Sequence, residues 1–212
     1  MLGYVAVENI ARRGRPPNYE RRRAIVRTAL HLLARYGFDG MPMRVVAQEC
    51  GISEPLLFRY YRSKRELLDA VIDYVMEQYD VLIAGTIVEA TRPSTLRAFL
   101  TTVARRVVAF NEQLGGWYAV QSTSPISREA RRRIAETRER GFQALARAMS
   151  ARGVFADPYV AARSFVGAIV YDDVLRRNGK EPQPSPQLQA VFVEQLVDLV
   201  AAGRELPPRG ND

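Results

Sequence analysis

The sequence predicts an all-α protein of about nine helices, and three observations carry that expectation. Apolar residues recur at three- and four-residue spacing through most of the chain, the period of a helix with one buried face. Glycine and proline interrupt the pattern at Gly37, Gly51, Arg92-Pro93, Gly115-Gly116 and the stretch from Asn178 to Pro186, cutting it into segments of helical length. Alternating runs of β-branched residues, the mark of strands, are nearly absent.

Residues 1–18 are expected to form a flexible basic arm, because Gly and Pro in Arg12-Arg13-Gly14-Arg15-Pro16-Pro17 oppose a helix. From Tyr19 a helical period begins: Ile25, Ala29, Leu32, Leu33 and Tyr36 share one face, and Gly37 is the expected C-cap. Pro42 suits the first turn of a second helix, which buries Val45, Val46 and Cys50 and ends at a Gly51 turn. Ser53 is the expected N-cap of a short third helix. Pro55 at its second position has no N–H, so the Ser53 oxygen would serve the Leu56 amide. Ser63 then opens a fourth helix with Glu66 three residues on, a capping box in which the Ser63 hydroxyl accepts from the Glu66 amide and the Glu66 carboxylate reaches back to the Ser63 amide.

The fourth helix is expected over 63–91, because Leu67, Leu68, Val71, Ile72, Val75, Tyr79, Leu82 and Ile83 keep the helical spacing. A helix from about Thr95 to Asn111 follows Arg92-Pro93, and then come Gly115-Gly116 and the aromatic pair Trp117-Tyr118. Residues 127–151 form a long arginine-rich helix whose pairs Glu129/Arg133, Arg132/Glu136 and Glu136/Arg140 are spaced to support one another. Interleaved acids make this charge run a solvated face rather than a nucleic-acid stripe. Asp157 is the expected cap of a helix reaching about Arg177. Asn178 to Pro186, with glycine and three prolines, is a loop, and a last helix runs from about Gln187 to Ala202 with Leu188, Val191, Phe192, Leu196, Leu199 and Val200.

Charge is unevenly placed. Of the net +8 over 212 residues, residues 1–68 hold 13 Lys/Arg against 6 Asp/Glu, while the rest hold 18 against 17. A basic first third joined to a nearly neutral remainder suggests that one end meets a polyanion. Cys50 is the only cysteine, so an intrachain disulfide is excluded and a reduced, cytoplasmic setting fits. No apolar run approaches a membrane span, and the arginines near the start follow its apolar part, the reverse of a secretory signal. His31 is the only histidine and reads as an ordinary helix residue; with one His and one Cys there is no metal cluster of ordinary spacing. No Ser/His/Asp set, phosphate-binding glycine loop or dinucleotide fingerprint occurs, so the chain reads as neither enzyme nor cofactor protein.

Two short helices with a glycine turn, followed by a basic capped helix start, form a helix-turn-helix reader of double-stranded DNA. Here the residues resemble the TetR family of bacterial transcription regulators, most densely from Ala24 to Leu68. The family's pattern appears as Gly37-Phe38, then Val46-Ala47, then Gly51-Ile52-Ser53, and finally Leu57-Phe58-Arg59-Tyr60-Tyr61-Arg62-Ser63-Lys64-Arg65-Glu66-Leu67. The resemblance implies a homodimer with an N-terminal three-helix reader over 19–68 and a C-terminal effector-binding and dimerisation domain over 69–212. The sequence departs from the family at Met41-Pro42, Leu56 and Phe58, where a hydroxyl usually stands to hold phosphate. Binding would therefore lean on cations and on the arm.

The expected DNA face comprises Ser53, Glu54, Pro55, Leu56, Phe58, Arg59, Tyr60, Tyr61 and Lys64. Arg59 can fork onto guanine O6 and N7, the alternative being a phosphate contact or a free surface residue. Tyr60 and Tyr61 could stack or bond phosphates, although one of them is expected to pack the three-helix core. Arg44 and Lys64 are candidate phosphate anchors. Arg13 and Arg15 resemble an arm that enters an A·T-rich minor groove, a solvated tail being the other reading.

For a small-molecule effector, the pocket candidates are Phe110, Trp117, Tyr118, Phe142 and Tyr171, with Trp117 and Tyr118 foremost. Asp172, of the pair Asp172-Asp173, is the candidate to attract a cationic effector, against a solvated or ion-paired role. Phe165, Ile169, Phe192 and Leu196 suit a four-helix dimer interface. The first functional expectation is a ligand-released repressor on a pseudo-palindromic operator. The alternatives are a ligand-independent architectural DNA-binding protein and a small-molecule-binding protein with a vestigial reader.

Overall fold

A computed structural model describes residues 18–178 and 186–202, and among these every regular element is a helix. The order is α1 (Asn18–Gly40), α2 (Met43–Glu49), α3 (Glu54–Tyr60), α4 (Lys64–Ala90), α5 (Leu96–Leu114), α6 (Trp117–Thr123), α7 (Arg128–Ser150), α8 (Pro158–Asn178) and α9 (Pro186–Ala202). The basic arm, with Arg13 and Arg15, and most of the proline-containing loop lie outside the described residues.

The helix starts follow from their caps. Ser53, Ser63, Thr95 and Ser127 each accept the amide three residues on, and Asp157 Oδ1 accepts from Tyr159 and Val160 at 2.9 and 3.1 Å. The box at Ser63 differs in one half: the Glu66 carboxylate accepts from the Arg62 amide at 2.8 Å, not from Ser63, because it overshoots by one residue. Gly37 takes φ +67° and breaks the helical path of α1, and Gly51 takes φ +63° in the α2–α3 turn. Both conformations favour glycine. Tyr36 is exposed at that break instead of facing the core.

Two hydrophobic cores divide the molecule. The first joins α1, α2 and α3 to the first half of α4, the end of α5, α6 and the start of α7, with Ile25, Leu33, Val46, Leu57, Leu68, Trp117 and Val120 inside it. The second joins α5, α7, α8 and α9 through Phe99, Leu100, Leu145, Met149, Phe165, Ile169 and Val197. The three-helix unit thus shares its core with α6, and the contact is close. A Cβ on Gly116, which takes φ +85°, would lie 2.4 Å from Ala34 Cβ.

α4 spans 27 residues, about 40 Å at ~1.5 Å per residue, and takes part in both cores. Arg133 and Arg140 of α7 pair with Asp73 and Asp80 of α4, each pair 60 residues apart in sequence. The equal offset means that α4 and α7 run parallel in fixed register. The expected pairs within α7 are reduced to Arg132–Glu136 at 2.6 Å, because the neighbouring arginines reach across to α4 instead.

Candidate nucleic-acid interface and ligand cavity

The reader is built around Leu57. This side chain is fully buried among α1, α2 and α4, which turns the opposite face of α3 outward. Pro55, Phe58 and Arg59 are exposed there, with Ser53 at the helix start and Glu54 and Leu56 half-exposed. The Ser53 hydroxyl accepts from the Leu56 amide at 3.4 Å, so α3 is held at its N-terminal end, where side chains reach base edges. Arg44 of α2 is exposed on its own helix.

Two residues expected on the DNA face are turned to other work. Tyr61 is buried, its hydroxyl donates to the Arg22 carbonyl at 3.2 Å, and Arg22 stacks over its ring at 4.8 Å. It is the tyrosine that packs the core, whereas Tyr60 is half-buried at the edge of that core. Lys64 does not stand free for phosphate: its ammonium donates to the Phe38 and Asp39 carbonyls at 2.8 and 3.2 Å and lies over the Phe38 ring. Those carbonyls lie at the C-terminal end of α1, which lacks a basic residue in its last turn, so Lys64 supplies the cation that a helix end favours.

A cavity of about 390 Å³ opens between α4, α5, α6, α7 and α8, within the range of small-molecule sites. Its walls are mostly apolar, from Leu82, Ile83, Val103, Val107, Leu145, Val166 and Val170. Phe110, Tyr118 and Phe142 line it, as the sequence suggests. Trp117 does not: it is buried in the first core behind α6, and its indole N–H faces Tyr79 without a hydrogen bond of good geometry. Tyr171 is 64% exposed on the outside of α8. Asp172 is held by Arg176 at 2.9 Å, and Asp173 by Arg177 at 2.9 Å. One helical turn places each acid beside an arginine, Arg176 also reaching Asp173 at 3.5 Å, and neither acid lines the cavity.

The polar lining has another composition, of Tyr79, Thr86, Asn111, Arg138 and Arg163, with the Thr86 hydroxyl donating to the Leu82 carbonyl at 3.0 Å. Asn111 is 5% exposed, and neither its Nδ2 nor its Oδ1 has a partner among the described residues. Its backbone carbonyl, by contrast, accepts from Arg177 at 3.0 Å. Burial raises the phenols of Tyr79 and Tyr118, and the Tyr79 oxygen pushes Tyr118 further up. Both therefore remain protonated donors at neutral pH. Arg163 stacks on the Phe142 and Tyr159 rings at 5.9 and 5.6 Å. Asn111 had a signal in the sequence: it continues the buried α5 positions Leu100, Val103, Ala104 and Val107, so a polar residue falls on an apolar stripe. Arg138 had none, being one arginine among many in α7.

The interface expected of Phe165 and Ile169 is also corrected, because both are buried within the second core of one chain. Phe192 and Leu196 are half-buried against that core. The apolar side chains left outside on α8 and α9 are Val160, Tyr171, Leu175, Val191 and Leu199, the last 71% exposed.

The family described as bacterial regulatory proteins, tetR family, matches residues 25–71, from α1 into α4. The class C tetracycline repressor of Escherichia coli is 37% identical over 59 residues, 28% of this chain and 27% of its own length. The chain thus spans about a quarter of the tetracycline repressors it matches. Beyond the reader the likeness is one of fold. A TetR-family regulator from Mesorhizobium loti superposes with a TM-score of 0.63 at 19% identity, covering 87% of this chain and 96% of the other. AibR in complex with isovaleryl coenzyme A and operator DNA does so with a TM-score of 0.57 at 21% identity, covering 86% and 96%. The signature of the tetR family of bacterial regulatory proteins thus lies on the helix-turn-helix of residues 25–71, and the likeness of fold to TetR-family structures extends through α4 to α9.

Proposed function

We propose that the protein is a sequence-specific DNA-binding transcriptional regulator, a repressor that a small molecule releases from its operator. The observation that carries this reading is the α3 surface. Leu57 anchors the helix from behind and Arg59 projects from the exposed face beside Phe58, while Arg44 is exposed on α2. An arginine on such a helix reads guanine through two parallel hydrogen bonds. The cavity supports the ligand half of the reading, since α4 both lines it and begins at the reader. A protein of the same fold, AibR, has been solved with both an acyl coenzyme A and operator DNA.

A dimer completes the reading. The exposed Tyr171, Leu175, Val191 and Leu199 on α8 and α9 offer apolar surface for a twofold partner. Two readers would then meet half-sites about one turn, or ~34–36 Å, apart. The deciding experiment is competition binding with operator fragments selected from the host genome. Arg59→Ala should cost roughly 1–3 kcal/mol on the selected sequence and little on random DNA. Equal losses on both would refute base reading, and a monomer in sedimentation at micromolar concentration would refute the dimer.

A further inference from the structure

We propose that the cavity takes an organic anion, a carboxylate carried on an apolar body, with Arg138 and Asn111 as its anchors. The proposal rests on the cavity being the effector site. Its first support is the sign of the lining: Arg138 and Arg163 face the cavity and no aspartate or glutamate does. Among the described residues, the ion pairs of α7 use Arg132, Arg133 and Arg140 and leave Arg138 without a carboxylate. Two acids stand close by and both are engaged: Glu139, in the adjoining groove, by the Tyr159 hydroxyl at 2.6 Å and the Gln143 amide at 2.9 Å, and Asp173, which acts on Tyr118, by Arg177 at 2.9 Å and Arg176 at 3.5 Å.

The second support is independent of charge. Asn111 is buried with both ends of its amide unanswered and borders the cavity. An unpartnered buried amide costs stability in the free protein; a carboxylate, which only accepts, answers the Nδ2 half of that deficit. Tyr79, Tyr118 and the Asn111 Nδ2 all offer donors on the cavity wall, and Arg138 lies close enough to both phenols to act on their titration. Donors beside a cation suit a carboxylate through charge-assisted hydrogen bonds. The apolar remainder, from Val103 to Val170, suits a hydrocarbon body. A neutral alcohol would answer both ends of Asn111 and leave Arg138 idle, and an amine would meet two like charges.

Three probes of equal length separate these cases: octanoate, 1-octanol and octylamine, titrated calorimetrically into the full chain, with carboxylates of six to twelve carbons alongside. Octanoate should bind at least tenfold more tightly than octanol, and octylamine should give no saturable heat. Arg138→Gln should remove that tenfold preference and leave octanol unchanged; Arg138 is exposed and outside any ion pair, so its loss spares the fold. Octanol binding as tightly as octanoate, octylamine binding best, unchanged octanoate affinity in Arg138→Gln, or no saturable binding by any carboxylate would each overturn the anion. Operator anisotropy separates this from the broader reading. Octanoate held by Arg138 with no effect on DNA affinity would sink the switch and keep the anion. Octanol releasing DNA where carboxylates do not would keep the switch and sink the anion.

Discussion

The reader and the α5–α6 seam lie against one core, yet they treat polar groups in opposite ways. In the reader, Tyr61 donates to the Arg22 carbonyl, Lys64 to the end of α1, and Ser53 and Ser63 hold the amides of the helices they open. At the seam, Asn111, the Trp117 indole and the Ser124 hydroxyl are buried without partners among the described residues. A satisfied network fixes one arrangement, whereas unanswered polar groups leave free energy to be recovered by something that arrives later. The difference teaches where rigidity serves this fold and where incompleteness does. On the proposed function, DNA requires a preset shape and a ligand is given work to do.

Breaking the rigid side should have the largest effect. Leu57→Ala removes a fully buried anchor and should cost about 2–5 kcal/mol in chemical denaturation, with loss of operator binding. A cost below ~1 kcal/mol would mean that α3 is positioned by its caps alone. On the seam the sign reverses. Asn111→Leu keeps the branched heavy-atom shape and removes two unanswered polar atoms, with the cavity beside it to take the extra bulk, so the free protein should gain roughly 1–3 kcal/mol while its response to carboxylates falls. A loss of stability would show that the amide is already answered.

Finer changes sharpen the contrast. Ser63→Ala should cost about 1 kcal/mol of stability through the lost cap, and DNA affinity should follow because α4 starts beside the reader. Asp73→Asn, which breaks an exposed pair with Arg133 at 3.2 Å, should cost less than ~1 kcal/mol, an effect erased by high salt. A larger or salt-insensitive change would make the α4–α7 ladder a structural element rather than a guide to register.

Helix number, caps and breaks could be read from the chain because each is a local matter: Ser63 with Glu66, Asp157 with its following amides, Gly51 at its turn. What resisted reading was set by neighbours distant in sequence. Which of Tyr60 and Tyr61 faces inward depends on Arg22 in α1, and Lys64 is drawn to Phe38, 26 residues away. Trp117 belongs to the first core because Ala34 and Gly116 bring α1 onto α6. The apolar periods of α8 were visible, but not that Phe165 and Ile169 would be consumed inside one chain. The same holds for the cavity: its aromatic members stood out by type, its arginine by position only.

The approach of Gly116 to Ala34 bears on modular engineering. Regulators with a common reader invite chimeras in which one protein's sensor is grafted behind another's α1–α3. Here the boundary is a contact between a glycine and an alanine, where a new Cβ would fall 2.4 Å from its neighbour. A donor sensor carrying any side chain at that place would wedge α6 off α1 and expose the apolar surface beneath. Portability is therefore decided by two small residues that lie on neither the exposed face of α3 nor the cavity wall, and a graft that transplants α6 together with α1 should carry the joint intact.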